Sequence, residues 1–248
     1  MGITAVSGSP RSKAVIGLAL LTAVGCSFGD KVTTKSSSDI SRYQVRTMAL
    51  VPFTALATPQ VRDLGAPYMS TPQGVRPSVS VAVPSNVEPQ VKQTVTVPDY
   101  AADMITQLFW SRLKERDGIV VSSPSESAKL LSRDGELAKT TPEMVGAAIA
   151  KRLQVDAALI GQVLVFQKRV GSRLGANPPA SVGFEVKAVT TDGAVLWVGN
   201  YYELQKPMTE DFVGFVQRWG AFVTAEELAQ YGVDQIMRAF PFGSAEKQ

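Results

Sequence analysis

Carboxylates, hydroxyls and a single thiol are the side chains with which this 248-residue chain could do chemistry. Histidine is absent, which excludes a Ser-His-Asp relay and any histidine-ligated metal. Asp99 and Asp103 stand one helical turn apart and could share a cation, and Asp156 precedes an apolar run where it could serve as a general base. Each also has a structural duty at its position. Acids in the first turn of a helix complement its dipole, and an aspartate between helix and strand caps or turns the chain. Ser122, Ser123 and Ser125 lie close together without a base to activate them. Gly171-Ser-Arg-Leu-Gly175 has glycines like a phosphate loop, but lacks the Gly-Lys-Ser/Thr ending and the helix that must follow. The expectation is a chain that is not an enzyme and has no cofactor and no metal.

The one cysteine, Cys26, cannot form an internal disulfide. Ahead of it come basic Arg11 and Lys13, an apolar stretch from Ala14 to Ala23, and small residues up to the thiol. That order is the layout of a secretory signal, and the apolar run is shorter than the roughly 20 residues that cross a bilayer. Leu21-Thr-Ala-Val-Gly-Cys26 resembles a lipobox, with Ala23 where leucine is usual. Residues 1–25 are therefore expected to be a signal peptide, and Cys26 the site of lipidation. Ser27, in place of aspartate, points to the outer membrane under the enterobacterial sorting rule.

From Ser27 to Ser41 the chain is too polar to pack a core, so residues 26–41 read as a lipidated cysteine and a tether that lets the domain sit clear of the headgroups. Residues 42–248 are expected to form one periplasm-facing α/β domain. Without Arg11 and Lys13 the balance is 23 basic to 22 acidic residues. No long basic run appears, so nucleic acid is not an expected partner.

Positioning elements follow from the hydrophobic periods. Val45–Phe53 reads as a buried strand, and the proline-rich stretch 54–97 as an extended insertion. Within it, residues 75–97 fit either two extended arms about Pro84-Ser-Asn86 or an irregular surface loop. Pro98–Arg116 is a helix with acids early, basic residues late and a stripe of Ala101, Ile105, Leu108, Phe109 and Leu113. Ile119–Ser122 is a short strand, Ser125–Leu131 a brief helix, Pro142–Leu153 a longer one, and Val155–Phe166 a largely buried strand. Val182–Ala188 alternates up to Asp192-Gly193, and the pattern resumes to Leu204, which is a hairpin. Thr224-Ala-Glu-Glu227 is a capping box that opens the last helix, which runs to Phe240. The fold class is α/β, a mixed sheet of about four to five strands flanked by helices.

Three segments carry a family resemblance: Met48-Ala-Leu-Val-Pro-Phe53, Ala150-Lys-Arg-Leu-Gln-Val-Asp-Ala-Ala-Leu-Ile-Gly161 and Thr191-Asp-Gly-Ala-Val-Leu-Trp197. They resemble motifs shared by the TolB amino-terminal domain, the curli-export lipoprotein CsgG and the lipoproteins that activate penicillin-binding proteins. The resemblance spans roughly Val45–Phe240 and implies a lipid-anchored accessory in envelope assembly, secretion or activation that acts through protein contacts. The alternative is an oligomeric outer-membrane secretion-pore subunit similar to the curli exporter, for which Val75–Val97 and Leu159–Ala188 would have to supply amphipathic strands. An envelope hydrolase is a third class. The expected partners are the membrane, an envelope protein that the sequence does not identify, and a second copy of the chain.

Two surfaces could meet such partners. Lys168, Arg169 and Arg173 cluster around the Gly171–Ala180 loop, where they could face acidic proteins or lipid phosphates, or simply solvent. Phe212, Phe215, Trp219 and Phe222 recur at spacings of three and four, which suits one helical face, either in the core or at an interface.

Overall fold

Strand formation starts earlier than the polar composition suggests. In the computed structural model, which describes residues 31–61, 94–135, 137, 140–206, 216 and 220–244, the first element is β1 (Val32–Ser36), followed by a 3-10 turn at Ile40–Arg42. Then come β2 (Thr47–Leu50), β3 (Thr54–Ala55), β4 (Gln60–Val61), β5 (Thr94–Val95), α1 (Asp99–Leu113), β6 (Val120–Ser122), α2 (Pro124–Arg133) and α3 (Pro142–Leu153). The chain continues through β7 (Ala157–Gln167), β8 (Ser181–Thr190), β9 (Val195–Leu204) and α4 (Ala225–Arg238). Lys31–Gln248 form a single unit.

Seven strands make one mixed sheet in the order β1-β9-β8-β7-β2-β6, with β3 pairing further along β7, and β4 pairs with β5 separately. The sheet exceeds the expected four to five strands because β1 and β3 carry no hydrophobic alternation. In β1 only Val32 is partly buried and Thr33–Ser36 are exposed, so it joins through its backbone, antiparallel to β9. The expected tether 26–41 is corrected in its described part alone, since residues 26–30 lie outside the described residues. The described fold begins at Lys31, and the polar stretch to Ser41 is an edge strand and a turn. β3 continues β2 along β7 beyond Pro52-Phe53, with Met48 opposite Ala157 and Thr54 opposite Gln162.

β2 reads as a continuous apolar run because helices cover both its faces. On one face α1 and α4 pack over Met48, Leu50, Leu159, Phe184, Trp197 and Tyr201. Aromatic rings link the layers, with centroids 5.1 Å apart for Phe53–Phe109, 5.8 Å for Phe109–Phe184 and 5.3 Å for Phe184–Tyr201. On the other face α2 and α3 cover Ala49, Val51, Ala158, Ile160 and Val189. Gly161 is required by close approach, since a Cβ there would lie 2.5 Å from the Phe53 ring.

The helix boundaries follow their caps. Ser123 and Thr141 accept from Glu126 N and Met144 N, each ahead of a proline in the first turn. Thr224 and Glu227 form the expected capping box of α4. The expected hairpin is β8–β9, turning at Asp192-Gly193, where Gly193 has φ +90°. None of the described helices is long and apolar enough to cross a membrane.

Candidate functional site

Strand register sorts the connections to two ends of the sheet. Gln167 pairs with Ser181 and Ser181 with Leu204, so the β7–β8 loop Lys168–Ala180 and the exit of β9 share one end, the loop end. Val32 pairs with Tyr201, and Tyr202 N donates to Lys31 O at 3.0 Å, so β1 also begins toward the loop end. The parallel strands β2 and β7 run toward it, and β4 pairs antiparallel with β5 in a separate sheet. The opposite, turn end holds Asp192-Gly193, the start of β7 and the start of β6.

At the turn end, Asp156 does the structural work its position suggests. One carboxylate oxygen accepts from Arg46 N at 2.9 Å, Thr47 N at 2.8 Å and Thr47 Oγ1 at 2.8 Å. These bonds, the Arg46 amide first, hold the Asp156 carboxyl below the ordinary aspartate range. The acid locks the entry of β2 against β7. Arg116 donates to the carbonyls of Phe242, Met237, Phe240 and Gly243 at 3.0–3.2 Å, tying the end of α4 to α1. Lys187 bridges Glu185 at 2.8 Å and Glu143 at 2.9 Å, and both acids raise its pKa.

At the loop end, each of the three basic residues singled out in the sequence is engaged within the domain. Lys168 pairs with Glu226 at 3.0 Å and lies 5.0 Å from the Tyr100 ring centroid, and both neighbours raise its pKa. Arg173 pairs with Glu227 at 3.0 Å. Glu227 thereby serves two purposes, since its second oxygen accepts from Thr224 N at 2.8 Å in the capping box. Arg169 donates one nitrogen to Gly171 O at 3.0 Å. Sequence reading could not find the acids, which lie more than fifty residues away along the chain.

The loop is an ordered ladder: Val170 N donates to Pro178 O, Asn177 N to Val170 O and Ser172 N to Gly175 O, all within 2.8–2.9 Å. At its apex Leu174 is 92% exposed, and Val170 is 56% exposed. Phe222 N donates to Arg173 O at 2.8 Å, and the Phe222 ring is buried. The Gln205 amide, with its nitrogen toward Val223 O and its oxygen toward Val223 N, pairs with that backbone at 3.0 and 3.1 Å. The aromatic segment thus meets the basic loop through Phe222, which packs inward. Phe212, Phe215 and Trp219 lie outside the described residues, as do Cys26 and the signal region 1–25.

Beside the start of β1 is a buried polar cluster that the sequence reading did not single out. Glu203, 3% exposed, accepts from Lys31 Nζ at 3.0 Å and from Tyr201 Oη at 2.7 Å. Its signal was a lone acid among the apolar positions of β9.

Asp99 is the first residue of α1 and Asp103 lies one turn further. Among the described residues no group of three or more His, Cys, Asp or Glu side chains could hold a metal ion. The stretch Leu159–Ala188 invoked for a pore is largely β7 and β8, inner strands paired on both sides. Most of Val75–Val97 lies outside the described residues.

Neither a family model nor a curated protein sequence matches the chain. Solved structures similar to it include a PelC dodecamer from Paraburkholderia phytofirmans, at TM-score 0.38 and 10% identity over 83% of this chain and 93% of that one. Lipoprotein GNA1162 from Neisseria meningitidis is similar at TM-score 0.35 and 12% identity over 70% and 96%. The LpoB C-terminal domain from Salmonella enterica is similar at TM-score 0.33 and 9% identity over 67% and 93%. A bacterial lipoprotein thus stands among the structures this chain is similar to.

Proposed function

We propose that this chain is a lipid-anchored envelope protein, tethered through Cys26 to the outer membrane and facing the periplasm, that acts as an assembly, secretion or activation accessory through protein contacts. The observation that carries this reading is the basic, apolar and small-residue order that ends at Cys26, followed within a few residues by a folded strand. The motifs similar to those of CsgG, TolB and the activator lipoproteins fit the same reading.

A non-catalytic role has support from the acids themselves. Asp156 is spent on the Arg46–Thr47 backbone, Glu143 on Lys187, and Glu226 on Lys168. Glu203 holds Lys31 and Tyr201. Work done through contacts needs a stable scaffold with ionisable groups committed to it, and these residues are committed in that way.

The test has two parts. Intact mass of the protein from membranes should show acyl chains on Cys26 and no residues 1–25, and Cys26→Ser should release it from the membrane fraction. Photo-crosslinkers placed at exposed positions should capture the same envelope protein from cells that contain the wild-type chain. An unmodified Cys26 thiol in the mature protein overturns the anchor, and a single carboxylate variant that abolishes the deletion phenotype with folding and partner capture intact overturns the non-catalytic reading.

A further inference from the structure

We infer that β1 is an interface with a second copy of this chain, the two β1 strands pairing antiparallel about Thr34 so that the sheets of both copies join edge to edge. The inference stands apart from the lipid anchor and uses none of the residues before Lys31.

The argument begins with the register of β1 on β9. Tyr202 N donates to Lys31 O and Ser37 N to Leu196 O, and the pairing between them runs from Val32 opposite Tyr201 to Ser36 opposite Trp197 without a bulge. Hydrogen-bonded and non-hydrogen-bonded pairs alternate along an antiparallel ladder, so Thr33 and Lys35 direct their N–H and C=O groups at β9, while Val32, Thr34 and Ser36 turn theirs to the open edge. Among the described residues no backbone group pairs with those three. An edge of this kind is a template for another strand. The opposite edge of the sheet differs, because β6 has only three residues and Asp117, just before it, bridges Ser244.

The occupant follows from self-complementarity. With Thr34 opposite Thr34 of the second copy, Val32 faces Ser36 and Ser36 faces Val32, so every outward residue meets an outward residue and about six hydrogen bonds form across the two-fold axis. The side chains fit the same register. Thr34 meets Thr34, a favourable cross-strand pair, and each Lys35 meets the Thr33 of the other copy. A slip of the register one way sets Lys35 directly against Lys35, which repels, and a slip the other way leaves Ser36 with no partner inside the strand. One register therefore combines all of the bonds with no like charges opposed. Pairing over Val32–Ser36 is about 17 Å long and falls short of a standard protein interface, so the dimer is reversible and forms as concentration rises.

The test uses the full chain carrying Cys26→Ser, so that an introduced cysteine is the only thiol. Sedimentation equilibrium should show monomers and dimers in exchange, and Thr34→Pro should weaken the association tenfold or more. Proline suits that position, because the N–H it removes faces the open edge and the bonds of Thr33 and Lys35 to β9 remain, so thermal melting should stay close to that of the parent chain. Under mild oxidation Thr34→Cys should link into dimers, since opposed residues of a hydrogen-bonded pair hold their Cα atoms about 5.5 Å apart, within reach of a disulfide. Thr33→Cys and Lys35→Cys should each fail to link alone and should link when mixed. A chain that stays monomeric at millimolar concentration leaves the edge to a different protein and overturns the inference. Association that a folded Thr34→Pro variant leaves unchanged places the contact on another surface and also overturns it. Should Thr34→Pro unfold the domain, the cysteine pattern decides: each variant linking with itself means parallel strands, equal linking in every combination means random collision, and either result overturns the pairing.

Discussion

At the turn end of the sheet Asp156 and Arg116 bind strand to strand and helix to helix by gathering several backbone groups onto one side chain, whereas the loop end adds to the backbone ladder of its tip only pairs of side chains in water. Arg116 draws four carbonyls together and Asp156 takes three donors on one oxygen, so each fixes several segments at once. Lys168–Glu226 and Arg173–Glu227 each join two largely exposed side chains, an arrangement that contributes little to stability. The β7–β8 loop and Phe222, just before α4, meet at the loop end. The contrast teaches that the two ends are held by different means, one by single side chains that each gather several backbone groups and the other by pairs of side chains.

The largest expected effect would test the fixed end. Asp156→Ala removes an ionised acceptor of three hydrogen bonds on an exposed side chain, which water replaces in part, and should cost about 1–2 kcal/mol in urea unfolding. A cost no greater than that of Arg173→Ala would break the comparison. The same acid should shape the response to pH. Its folded pKa is depressed, so its contribution is complete above the unfolded value near 4 and is lost as pH falls through the folded value. Asp156→Asn should therefore flatten the acid limb of a stability curve below about pH 4 and lower stability at neutral pH.

Glu203→Ala sharpens the picture where β1 begins at the loop end. It removes the acceptor of Tyr201 Oη and Lys31 Nζ and should cost about 1–2 kcal/mol. Hydrogen exchange should locate the loss in Val32–Ser36, while β7 and β8 keep their protection. Exchange that rises uniformly through the sheet would show that β1 has no independence. The smallest effect is expected from Arg173→Ala, at about 0.2–1 kcal/mol and fading in high salt, with the tip amides of Val170–Ala176 more exchangeable.

How legible these regions were in the sequence follows the same division. β2, β7, β8 and β9 could be read because their inward side chains are apolar, and the β8–β9 turn because Asp-Gly at that spacing suits a tight hairpin. α3 and α4 could be read from proline and cap residues, and the capping box at Thr224–Glu227 formed as expected. β1 was hidden because an edge strand needs only backbone donors and acceptors, and Thr33-Thr-Lys-Ser36 has the composition of a linker. β3 was hidden by its length of two residues and the proline before it. Asp156 was legible as a junction residue. The acids that hold Lys168 and Arg173 were not, because pairing across a sheet end leaves no periodic trace.

The direction in which β1 meets its neighbour decides how the domain answers force. A pull on Lys31, directed out of the loop end along the strand axis, slides β1 lengthwise against β9, so the bonds over the five paired residues from Val32 to Ser36 are strained together. A pull across the sheet would instead open them one after another from Val32, with the Lys31–Glu203 pair as the first to part. The attachment of β1 is therefore strong against a pull along the strands and weak against one across the sheet.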